Sequence, residues 1–193
     1  MTVNLSKGGN ISLTKEAPGL THAVIGLGWD PRVTDGATFD LDASAILCGA
    51  DGKALSDENF VFYNNTKDPS GAVQHQGDNR DGQGDGDDEM IFVSLADLPP
   101  SVEKIVFVVS IDQAEARNQN FGQVANAYIR VLDANNPDNA ITKYDLGEDF
   151  STERSVKFGE MYRNNGEFKF RAVGQGYSAG LAGIIAEYGL MAG

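Results

Sequence analysis

The chain is expected to fold as an all-β protein, an antiparallel β-sandwich, and three observations lead there. About nine segments are short, apolar or alternating, and bounded by turn residues. Helical character is confined to one C-terminal stretch and a short turn. Asp-Gly and Asn-Gly pairs punctuate the sequence at hairpin-like intervals. Many strands with few helices pack most simply as two facing sheets.

The strand-like runs, in order, are Ala23–Trp29, Thr38–Cys48, Phe60–Tyr63, Met90–Leu95, Lys104–Ile111, Ala127–Leu132, Ile141–Leu146, Val156–Tyr162 and Glu167–Val173. Thr38–Ala45 alternates cleanly, so Phe39, Leu41, Ala43 and Ala45 share one face, and Asp40, Asp42 and Ser44 the other. Asp35-Gly36, Asp51-Gly52, Asn135-Asn136-Pro137 and Asn165-Gly166 supply turns, the last reading as a tight hairpin. Ser178–Tyr188 is apolar and reads as a short C-terminal helix with Ser178 as N-cap, packed on an end or face of the sheets. A turn of helix is expected around Asn120–Ala125. Trp29, Phe60, Phe62, Tyr63, Phe107 and Phe121 read as core aromatics, and Gly26 and Gly28 as strand-edge or bulge positions. No internal repeat or linker divides the 193 residues, so residues 1–193 are read as one domain.

The formal net charge is −13, with 28 acidic against 15 basic residues. Such a chain repels a nucleic-acid backbone or an anionic bilayer unless bound cations reverse the local field. The one cysteine, Cys48, lies in an apolar run and reads as a small buried hydrophobe, and a disulfide within the chain is excluded. The start lacks a basic region followed by an apolar stretch, and no run approaches the ~18 apolar residues of a membrane span. A cytoplasmic protein is expected.

The segment 64–89 is long and irregular, and its end, Gly77–Glu89, reads GDNRDGQGDGDDE. It holds six carboxylates, four glycines and one cation, Arg80. At about 4 Å in water each like-charge pair costs roughly 1 kcal/mol. The glycines let the backbone curl so that carboxylates and carbonyls can converge on a cation. Ca²⁺ fits better than Mg²⁺, because it accepts irregular cages of oxygen ligands. An EF-hand is excluded. Counting from Asp78 puts Glu89 twelfth but Arg80, Gly82 and Gln83 third, fifth and sixth, and counting from Asp81 puts Phe92 twelfth. The nonapeptide of β-helical Ca²⁺ proteins is absent, since nothing repeats. Asp40 and Asp42 point the same way, about 6.6 Å apart on a strand rising ~3.3 Å per residue, and can bracket a cation. Asp30, ending the preceding strand, can join them if the edges coincide, and Asp87, Asp88 and Glu89 lead the acidic loop into its strand. The alternative for the pair is an ordinary solvated face, and for the loop a solvated acidic turn.

Enzymatic signatures are absent: no HExxH, no GxSxG elbow, no Walker loop. His75 lies near Asp78, so a metal-dependent hydrolase using the acidic cluster with His75 as base is the alternative function. An exposed loop position is the simpler reading of His75.

Several long motifs in order resemble the TerD/TerE family of bacterial tellurium-resistance proteins. They are LSKGGNISL at Leu5–Leu13, GLGWD at Gly26–Asp30, FDLDASA at Phe39–Ala45, FVFYNN at Phe60–Asn65, the acidic loop, NFGQVANAYIRV at Asn120–Val131 and FKFRAVGQGY at Phe168–Tyr177. The resemblance implies a C2-like β-sandwich binding Ca²⁺ through acidic loops, and a non-enzymatic role in tellurite resistance and stress protection, including phage and colicin tolerance. It implies metal ligands at Asp30, Asp40, Asp42, Asp78, Asn79, Asp87, Asp88 and Glu89, with Asp85 where the family loop is often acidic. The sequence departs from the family pattern at Asp81, where a small hydroxyl residue is usual, and at Phe168, where tryptophan is. The resemblance also implies complexes with other tellurium-resistance proteins, including an inner-membrane partner. The charge makes the chain a poor direct binder of an oxyanion, and one buried thiol is a poor reductant. A Ca²⁺-dependent adaptor or sensor is therefore the expected role.

Overall fold

The computed structural model describes residues 1–30, 36, 38–76, 86–146 and 152–191. They form two six-stranded sheets. The first has the order β1 (Val3–Asn4), β10 (Asn136–Asp145), β9 (Ala125–Asp133), β3 (His22–Asp30), β7 (Glu89–Ser94), β6 (Val73–His75). The second has the order β2 (Asn10–Ser12), β12 (Glu167–Tyr177), β11 (Ser155–Asn164), β8 (Lys104–Ile111), β4 (Leu41–Cys48), β5 (Phe60–Val61). A one-turn helix, α1 (Leu13–Glu16), follows β2, and α2 (Leu181–Glu187) follows β12.

The all-β expectation holds. The antiparallel expectation holds for every pair but β1 with β10, which is parallel. All nine expected strands are present, and β1, β2 and β6 are additional. These three have only two or three residues each, too few to show a period. Short edge strands suit a sandwich, because they leave little unpaired backbone for other chains to pair with.

Alternation decides what each strand buries. Ile25, Leu27 and Trp29 on β3 and Leu41, Ala43, Ala45 and Leu47 on β4 enter the core between the sheets. Phe39 joins them although β4 begins only at Leu41. Strand β8 is apolar on both faces, since its outer residues Val106 and Val108 are covered too. With Ile46, Cys48 and Phe60 they form a second cluster on the outer face of the second sheet, closed by Ile184 and Tyr188. Burying Ile184 contributes roughly 1.5–3 kcal/mol to docking of α2.

The helix starts later than the sequence suggested. Tyr177 still belongs to β12, and Gly180, at φ 71°, is the N-cap position. Ser178 lies in the turn out of the strand and does not cap. The 3-10 turn at Phe121–Gln123 matches expectation, with Gln123 Oε1 accepting from the Asn120 N–H. The Asn165-Gly166 hairpin is also as read: both residues have positive φ, 49° and 79°, as a type I′ turn requires.

Three readings are corrected. Residues 64–76 are not irregular: Asp68 closes a turn by accepting from the N–H groups of Ser70 (3.0 Å) and Val73 (2.9 Å), and β6 follows. Tyr63 is exposed and Phe62 half-buried, whereas Trp29, Phe60, Phe107 and Phe121 are buried. Gly26 and Gly28 lie on a central strand. A Cβ on Gly26 would sit 2.1 Å from Asp87 Oδ2, and one on Gly28 2.4 Å from Tyr128 Cζ, so both positions are bare because cross-strand side chains cover them. The register does shift between Gly28 and Asp30.

Cys48 is fully buried, as expected, and burial pushes its thiol pKa up to about 11. At pH 8 only about one thiol in a thousand would be ionised. Alkylation by iodoacetamide is therefore expected to be far slower in the native protein than in urea; equal rates would contradict the burial. Among the described residues, no helix is long and apolar enough to cross a membrane.

Candidate functional site

Strand directions bring the acidic residues to one end of the sandwich. Strands β3 and β10 end there, at Asp30 and Asp145, and β4, β7 and β9 begin there. The Ala43 N–H donates to Glu89 Oε2 at 2.5 Å, and the Phe121 N–H to the Glu153 carbonyl at 2.9 Å, so the two sheets meet at the same end. Of the sequence-derived ligands, Asp78, Asn79 and Asp85 lie outside the described residues. The other six are described, and they fall into four settings.

Asp40 and Asp42 share a cleft of about 420 Å³ with Thr38, Tyr63, Asp112, Gln113 and Arg117. The face assignment holds, because Ser44 lines the neighbouring pocket with Asp42 while Phe39, Leu41, Ala43 and Ala45 are in the core. Asp112 was not singled out in the sequence. It follows the apolar run of β8 by one residue, and the β4–β8 register, Leu41 opposite Ile111, sets it across from Asp40. Its N–H donates to the Asp40 carbonyl at 2.8 Å. Pairing those two runs head to tail is the signal that would have found it.

Asp30 is exposed at a different cleft, of about 890 Å³, lined by Asn126, Tyr128, Lys143 and Asp145 among others. It accepts a hydrogen bond from Asn126 Nδ2. Asp30 and the Asp40/Asp42 pair thus share an end of the sandwich but not a cleft.

Asp87 lies on the outer face of the first sheet, over Gly26, with its side chain almost buried. Arg130 Nε donates to its Oδ1 at 2.8 Å, and Tyr128 O–H donates to the same oxygen at 3.0 Å. Burial, with the Asp87 carboxylate beside it, pushes the Tyr128 phenol up to about 12. Asp88 Oδ2 accepts from the Trp29 N–H at 3.0 Å, and the Asp88 N–H donates to the Leu27 carbonyl at 2.8 Å. This fixes the entry to β7.

Glu89 points between the sheets with no side-chain exposure. Besides the Ala43 N–H, its Oε2 has His75 Nε2 at 3.5 Å. His75 is buried on β6, not exposed in a loop. Asp87 and Asp88 before β7 and Glu89 at its start thus carry structural bonds, a role that charge patterning alone does not reveal.

Oxygen donors at Thr38, Asp40, Asp42, Asp112 and Gln113 are of the kind a hard cation takes and offer nothing to a soft metal, and Arg117, lining the same cleft, stands 3.9 Å from Asp112 Oδ2. Among the described residues, no group of three or more His, Cys, Asp or Glu side chains could hold a metal ion. The cleft supplies part of a shell.

The TerD domain model matches residues 1–188. A tellurium resistance protein TerD from Serratia marcescens is 55% identical over 192 residues, with both chains covered completely. General stress protein 16U from Bacillus subtilis (strain 168) is 50% identical over 194 residues, again with full coverage of both. A crystal structure of a homologue of the telluride resistance protein from Streptomyces coelicolor A3(2) has the same fold, with a TM-score of 0.70 at 23% identity, covering 87% of this chain and 96% of its own. A family model spanning nearly the whole chain, together with relatives this similar from end to end, establishes that the chain belongs to the TerD family of tellurium-resistance and stress-response proteins.

Proposed function

We propose that the chain serves tellurium resistance and the stress response as a Ca²⁺-dependent adaptor or sensor without catalytic activity. Its acidic end binds Ca²⁺ and so becomes a docking surface for other tellurium-resistance proteins, including one in the inner membrane, which holds a cytoplasmic protein peripherally at that membrane. The observation that supports this best is the convergence of Asp40, Asp42 and Asp112 on one oxygen-lined cleft. It lies at the end of the sandwich where β6 stops and β7 starts, on either side of residues 77–85. When bound, Ca²⁺ supplies the positive charge that relieves repulsion among these carboxylates. Asp40 and Asp42 would supply part of its shell, since no three described carboxylates could hold it alone, and the resemblance adds Asp78, Asn79 and Asp85. Asp87, Asp88 and Glu89 contribute by fixing the lead into β7.

The hydrolase reading loses support, since its base, His75, is packed against Glu89 with 2% side-chain exposure. Sensor sites fall at roughly 10⁻⁷ to 10⁻⁵ M. Calorimetric titration is expected to show Ca²⁺ binding in that range, poorly competed by Mg²⁺. Asp40→Asn with Asp42→Asn should weaken it at least about tenfold. No heat at millimolar Ca²⁺ would overturn the reading.

A further inference from the structure

Beside the acidic cleft lies a smaller pocket of about 180 Å³ on the outer face of the second sheet. We propose that this pocket, walled by Asp42, Ser44, Ser110, Phe62, Tyr63 and Leu181, binds a primary alkylammonium group. Ser44 is 2% exposed, lines the pocket, and its Oγ has no hydrogen-bond partner. A buried hydroxyl without a partner is rare, and marks a place where something else completes the bonding. The charged residues of the lining, Asp42 and Asp112, are both acidic; Asp112 Oδ2 is engaged by Arg117 at 3.9 Å and by Gln113 Nε2 at 3.1 Å, and the lining as a whole favours a cation. Asp42 is itself 9% exposed.

The walls distinguish an organic cation from a metal ion. Phe62 and Leu181 give an apolar surface that an inorganic ion cannot use but an alkyl stem can. The rings of Phe62 and Tyr63 meet edge to face, with centroids 5.3 Å apart, forming an aromatic corner of the kind that attracts cations. A carboxylate with the Ser44 and Ser110 hydroxyls matches the three N–H donors of an ammonium better than the planar fork of a guanidinium. The pocket shares Asp42, Tyr63, Asp112 and Gln113 with the adjoining cleft, which adds Thr38, Asp40 and Arg117. Oxygen-rich and apolar compartments thus flank one carboxylate, so Ca²⁺ on Asp42 would compete with the ammonium group, and the test is made without Ca²⁺.

The test titrates n-butylammonium chloride into the EDTA-treated full chain, followed by amide shifts in NMR. Saturable binding at about millimolar concentration is expected, with shifts centred on β4 and β8. Asp42→Asn should weaken it about tenfold and Ser44→Ala several-fold, with little change in melting temperature for Ser44→Ala. 1-Butanol should not bind. Non-saturable shifts, unchanged affinity in both variants, or butanol binding as well as the amine would overturn the proposal. The source is read by comparing N-acetyl-lysine methylamide with 1,4-diaminobutane: tighter binding of the first assigns the pocket to a lysine of a partner protein, tighter binding of the second to a free diamine. Because EDTA is present throughout, failure of the Ca²⁺ reading leaves this result untouched.

Discussion

Glu89→Ala is expected to lower the unfolding free energy by about 3 kcal/mol with no divalent ion present. Its side chain is fully buried between the sheets, and its Oε2 takes the Ala43 N–H. That N–H lies on the edge of β4 where β5, paired only at Ala45 and Ile46, does not reach. Truncation strands a buried donor, removes the neighbour of His75 and leaves a void. Glu89→Gln keeps an acceptor and should lose about half as much. Denaturant unfolding in EDTA measures both. The sign is diagnostic: a carboxylate serving only as an ion ligand repels its neighbours in the ion-free protein, so its removal would stabilise. A stabilising Glu89→Ala would mean that the sheets do not depend on this bond.

Gly26→Ala is expected to cost about 3 kcal/mol, far more than glycine to alanine at an ordinary strand position. The new Cβ would lie 2.1 Å from Asp87 Oδ2 and 2.3 Å from its Cγ. Asp87 would have to leave, breaking the 2.8 Å bond from Arg130 and the 3.0 Å bond from Tyr128. Arg130 is partly exposed, so most of the loss comes from the displaced, nearly buried carboxylate and its steric conflict. Repeating the substitution in an Asp87→Ala background tests the cause. The penalty should shrink to about 1 kcal/mol or less once the carboxylate is gone. An equal penalty in both backgrounds would place the conflict elsewhere.

What the sequence disclosed follows from the range of its signals. Period-two alternation is local, so β4 and its faces were legible from Phe39 to Ala45, and the Asn165-Gly166 turn declared itself through two residues that tolerate positive φ. Clustered charge drew attention to the end of the molecule where Asp40, Asp42 and Glu89 lie. Partners distant in sequence were not legible. Asp112 joins Asp40 through the β4–β8 register, Glu89 acquires its role from Ala43 and His75, and Asp87 from Arg130 and Gly26. Strands of two or three residues, such as β1, are defined by their neighbours more than by their own residues.

The parallel pairing of β1 with β10 bears on how the chain acquires its fold. Val3 accepts a bond from Thr142, 139 positions away, and Ile11 on β2 sits opposite Phe170 on β12. Both N-terminal strands must therefore wait for segments made much later. During synthesis at roughly 5–20 residues per second, Val3–Ser12 emerges many seconds before either docking strand is available. Native contacts of such long range slow folding and lengthen the life of open sheet edges. β1 and β2 act as late closures, one for each sheet, and their brevity limits what they can pair with in the interval.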